Sequence, residues 1–152
     1  MTRPAVIRLS AVLVAFALFA AGLHAQTPPD KFLGHRVGED RKLADYTQIK
    51  AYFEKLDRES DRLTLFTIGE SVLKKPIIMA AVSTPGNLAR LDRWKDIARK
   101  LRDPRVTPAD EARRLAKEGK AIVLITCSLH ATEIAASQMS MELAYDLVTG
   151  RT

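Results

Sequence analysis

One cysteine, Cys127, stands in 152 residues, so no internal disulfide can brace this chain, even in a compartment that would permit one. Aromatic residues make up only 6% of the sequence, and no stretch interleaves them with basic residues. Lys and Arg outnumber Asp and Glu by 24 to 18 without gathering into a block. Nucleic-acid surfaces need concentrated positive charge, so nucleic acid is not the expected partner. Long apolar runs are missing too: Leu9 to Leu23 spans 15 residues, short of the ~20 needed to cross a bilayer. No internal repeat or low-complexity segment is present. With 47% hydrophobic residues there is material for about one domain with a real core.

The N-terminus reads as a secretion signal. Arg3 and Arg8 precede the apolar run, and "LHAQ" precedes a polar, proline-containing segment, the order of a cleavable export sequence. Residues 1–25 are therefore expected to be removed, with cleavage after Ala25, leaving 22 basic against 18 acidic residues. The expected location is secreted or periplasmic, with no stable membrane insertion after cleavage. Residues 26–44 carry prolines, glycines and charges without apolar periodicity and read as an extended lead-in on the domain surface. His35 falls there as a solvated loop histidine, with no ligand-spaced partner nearby.

From Asp45 the pattern becomes helical. Ile49, Tyr52, Phe53 and Leu56 recur at i, i+3, i+4 and i+7, and Asp45 with Gln48 forms a capping-box start. "DRLTLFTIGES" and "KPIIMAAVSTPG" follow as two β-rich runs joined by a short link, and an antiparallel pair is expected. Asn87 opens a second helical stretch whose Leu91, Trp94, Ile97, Ala98 and Leu101 share a face, so Trp94 reads as core. A third helix has Thr107 at the N-cap, Pro108 at its first position and Gly119 past its end.

The next segment, "AIVLITCSLHATEIA", holds the candidate chemistry. Its apolar run is continuous, as in a strand covered on both faces by helices in a parallel or mixed sheet, with Cys127 a buried strand residue. A fourth helix, Glu133 to Val148, has apolar residues over a wide arc, so deep packing is expected. In open α/β sheets ligands collect where strands feed into helices. His130 and Glu133 lie at such an edge, three positions apart. Zinc accepts imidazole nitrogen and carboxylate oxygen, and a shell of two His and one Glu leaves a position for water. The tetrad alone also suits a surface ion pair or a helix-start carboxylate.

From Gly34 onward the chain resembles the zinc metallocarboxypeptidases, the carboxypeptidase A-like peptidases. The resemblance rests on "GHRVGEDRKLADYTQIKAYFEKL", "SDRLTLFTIGES", "KPIIMAAVSTPGNL" and, most specifically, "KAIVLITCSLHATEIAASQMSMELAYDLV". It implies an α/β fold, a mixed, mostly parallel sheet sandwiched by helices, incomplete at the C-terminus. Residues 45–152 would form the N-terminal part of a catalytic domain. It also implies one zinc ion, His130 and Glu133 as two of its ligands, a peptide or protein substrate, and removal of C-terminal residues by metal-activated water. Thr132 and Ile134 stand where many digestive members have arginine and tryptophan, and Lys74 and Lys75 replace a common Gly-Arg pair. The family's third ligand, general base and carboxylate-binding arginines are expected beyond Thr152, so the catalytic base is unassigned. Two other classes stay open: a related zinc amide hydrolase, acting on N-acyl amino acids or cell-wall peptides, and a non-catalytic binding domain.

Overall fold

The computed structural model describes residues 25–130 and 132–150; the expected signal lies almost wholly outside the described residues. The lead-in contains a short helix, α1 (Pro29–Leu33), closed by Gly34 at φ 76°, whose N–H donates to Asp30 O at 2.9 Å. Glycine takes that left-handed conformation without steric cost. The Phe32 ring packs against Tyr52 at 5.4 Å between centroids, so the lead-in is fastened to the core.

Helix α2 (Tyr46–Glu59) starts at the expected capping box: Asp45 accepts from Gln48 N–H and the Gln48 side chain accepts from Asp45 N–H. Two otherwise orphaned N–H groups are thereby satisfied. Tyr52, Phe53 and Leu56 are buried on one face, each contributing about 1.5–3 kcal/mol by leaving water. Strands β1 (Leu63–Glu70) and β2 (Pro76–Val82) pair antiparallel, as expected, from Leu63 opposite Val82 to Glu70 opposite Pro76, with a register shift between Thr67 and Gly69.

Short helix α3 (Pro85–Leu88) leads into α4 (Leu91–Arg102) and α5 (Ala109–Glu118). These two helices close a small core of Trp94, Ile97 and Leu115, with Leu91 beside it. Trp94 is core, as its spacing implied; its Nε1 donates to Asn87 O at 2.9 Å, and Arg90 and Lys120 lie over its ring. Thr107 is not the expected cap. Pro108 holds the N-cap position, and the Thr107 hydroxyl donates to Lys100 O at 2.8 Å, tying the loop back to α4.

Helix α6 (Ile134–Thr149) buries Gln138, Met141, Ala144 and Val148. Met141, Ala144 and Val148 join Ala44, Tyr52, Phe53, Leu56 and Leu63 in the main core. Its packing is one-sided rather than deep, because Ile134, Met139 and Leu147 remain more than 40% exposed.

The sheet differs most from expectation. The observed class is mixed α/β, but the sheet among the described residues is the two-stranded β1–β2 ribbon. The run from Ala121 to Cys127 is not a strand; it has no ladder partner, and Ile122, Val123, Leu124 and Ile125 are 54–80% exposed. A strand exists only through hydrogen bonds to a neighbour, whatever its own propensity. Cys127 is half-buried and free.

Candidate metal site

The loop before α6 brings the two candidate ligands together. Ser128 has φ 86°, a left-handed backbone just after the unpaired apolar run. Glu133 then occupies the N-cap position of α6 with φ −88° and ψ 58°. Its carboxylate makes no cap to the helix it begins. Instead it folds back over the preceding loop: Oε2 accepts from Leu129 N–H and His130 N–H, both at 3.1 Å, and lies 3.4 Å from Ser128 Oγ. Oε1 lies 2.8 Å from His130 Nδ1. The turn is closed by Glu133 N–H donating to His130 O at 3.1 Å and by Ser128 Oγ donating to the same carbonyl at 2.8 Å.

This web favours the ionised carboxylate. The His130 side chain first, then the His130 and Leu129 N–H groups, pull the Glu133 carboxyl down to about 2. Both side chains are open to solvent, His130 at 70% and Glu133 at 50% relative exposure, so water screens the pair and its direct contribution to stability is small. The pair is accessible to a solute.

The chemistry of the donors fits zinc: one imidazole and one ionised carboxylate converge at 2.8 Å, and both are first-choice zinc donors. Nδ1 and Oε1 face each other as a hydrogen-bonded pair. An ion held by both atoms would take the place of that hydrogen bond. The number of donors does not complete a site, since the described residues contain no cluster of three or more His, Cys, Asp or Glu side chains suited to a metal. His35 lies apart, in the lead-in, with Nδ1 3.0 Å from Arg36 O.

Sequence reasoning left the partner of the second His130 ring nitrogen unnamed; the side-chain contact that the structure shows, to Glu133, is at Nδ1, the nitrogen offered to the ion. It also passed over Ser128 and the Leu129 N–H. A backbone donor carries no residue-type signal, and serine is not a usual marker of a left-handed turn.

Comparison with known proteins places a family model described as zinc carboxypeptidase on residues 49–152, more than half of the chain and including the whole His130–Glu133 loop. Neither the curated proteins nor the solved structures give a match.

Proposed function

The chain belongs to the zinc carboxypeptidase family, and from that premise we propose that it is the N-terminal part of an exported metallocarboxypeptidase domain, with His130 and Glu133 as two of its zinc ligands. The observation that carries the reading is the convergence of His130 Nδ1 and Glu133 Oε1 at 2.8 Å on an exposed loop inside the matched region. The substrate class is a peptide or protein chain, cleaved at its C-terminal residue.

The residues present divide the work as follows. His130, neutral, offers a ring lone pair. Glu133, held ionised by the His130 side chain and by the His130 and Leu129 N–H groups, offers an oxygen whose direction those N–H donors set. A bound zinc ion supplies activation of a water molecule near neutral pH and polarisation of the scissile carbonyl. The exposed apolar run Ile122–Ile125 supports the reading of a partial domain, because it presents a strand sequence and an unpaired backbone for a further segment to cover. Export rests on the order of Arg3, Arg8, the apolar run and "LHAQ"; Gln26 and Thr27, just past the expected cut, are already hydrogen-bonded to Glu59. N-terminal sequencing of the expressed protein is expected to begin at Gln26.

A non-catalytic binding domain is the second reading. It is favoured by the way Glu133 satisfies itself within its own turn. Zinc titration separates the two: His130→Ala and Glu133→Ala are each expected to weaken zinc binding tenfold or more, since even loss of an outer-shell partner costs about 10–100-fold. Unchanged stoichiometry and affinity in both variants would sink the ligand assignment.

A further inference from the structure

Among the described residues, three other than glycine have positive φ: Arg41 at 59°, Lys74 at 58° and Ser128 at 86°. The first two sit within the ordinary left-handed pocket, about +50 to +70°, in exposed turns. Ser128 lies outside it, where an L-residue is strained and glycine is not. Such a conformation persists only where its surroundings determine it, and those surroundings here are the candidate ligands.

The hydroxyl is not the group that holds Glu133. One O–H carries one proton; it is 2.8 Å from His130 O and 3.4 Å from Glu133 Oε2, so the carbonyl takes it and the carboxylate contact is marginal. What reaches the carboxylate firmly is the backbone that follows the bend, through Leu129 N–H and His130 N–H at 3.1 Å each. A residue at position 128 with an ordinary extended backbone would turn those two N–H groups away from Oε2.

We propose that Ser128 is a positioning residue of the zinc site: its left-handed backbone aims the Leu129 and His130 N–H groups at the Glu133 carboxylate, which fixes that carboxylate beside the His130 ring before any ion arrives. The proposal rests on the zinc-ligand reading of His130 and Glu133. Preorganisation of this kind raises affinity by removing the ordering cost from the binding step.

The test uses the full chain, zinc alone as probe, and competition with a chromophoric chelator. Ser128→Gly keeps the bend without the Cβ and is expected to bind zinc within threefold of the unaltered chain, or tighter. Ser128→Val, β-branched and intolerant of positive φ, is expected to bind at least tenfold more weakly with an unchanged far-ultraviolet spectrum. A second readout needs no metal: the amide proton resonances of Leu129 and His130 are expected to stay in place in Ser128→Gly and to move upfield in Glu133→Ala. If Ser128→Val does not fold, Ser128→Ala replaces it, with the same amide movement and an intermediate loss of affinity. Equal affinity in Val and unaltered chains, or a Gly variant as weak as Val, overturns the role of Ser128 while leaving the ligand assignment standing. Zinc binding indifferent to Glu133→Ala overturns the ligand assignment, and the positioning role with it.

Discussion

Gln138 and Ala44, 94 positions apart in the chain, close a two-bond ring: Ala44 N–H donates to Gln138 Oε1 at 2.9 Å, and Gln138 Nε2 donates to Ala44 O at 2.6 Å. Both residues are buried, at 6% and 5% exposure. The Gln138 side-chain amide of α6 thus satisfies both backbone groups of Ala44 at the entrance to α2. It locks α6, whose N-cap is Glu133, onto the main core, so the candidate site is anchored from its C-terminal side.

Gln138→Leu would keep the volume and leave two buried backbone groups unpaired. The expected cost is about 2–4 kcal/mol, on the scale of the desolvation penalty for each orphaned group. Urea denaturation measures it; a loss below about 0.5 kcal/mol, the range of an ordinary surface change, would mean that water replaces the amide.

Glu59 gives a pH dependence of defined sign. Burial alone would raise its carboxyl, but Lys55 and the backbone and hydroxyl donors of Thr27 outweigh burial and hold it below the ordinary 4.5. A depressed folded-state value means stability present above 4.5 and lost as pH falls below it. Stability is expected to exceed that of Glu59→Gln by about 1.5–3 kcal/mol at neutral pH, the scale of charge-assisted hydrogen bonds. The gap is expected to close on acidification through and below the ordinary carboxylate value. A gap that widened toward acid pH would contradict the assignment.

Leu115 is fully buried in the small α4–α5 core, which shares no residue with the main one. Leu115→Ala is expected to cost about 2–4 kcal/mol, felt locally. Hydrogen exchange is the measurement: protection should fall in α4 and α5 and hold in α2 and α6. Uniform loss across all four helices would show that the two cores unfold as one.

The exposed run Ile122–Ile125 is a template for pairing with another chain. The unaltered chain is expected to self-associate as concentration rises, and Val123→Lys with Leu124→Lys to reduce this, as read by sedimentation. A chain that stays monomeric at high concentration without the substitutions would remove the run as the cause.

The helices and the β1–β2 hairpin were legible in the sequence because their causes are local. Asp45 and Gln48 cap α2 through bonds reaching three residues, and Tyr52, Phe53 and Leu56 mark its buried face by spacing alone. The His130–Glu133 pairing was legible for the same reason, since three positions across a turn bring two side chains within reach. The family followed from the same segment. The state of the run Ala121–Cys127 was decided otherwise: its composition says strand, yet a strand needs hydrogen-bonding partners that composition cannot supply, and here Ile122–Ile125 are left outside any strand and exposed. Thr107, a good cap by residue type, was drawn instead to Lys100 O. The left-handed bend at Ser128 and the Gln138–Ala44 ring also belong to tertiary structure alone. The first is a backbone conformation that serine does not signal by residue type, the second needs two segments to meet across the core, and neither is written in any local pattern of residues.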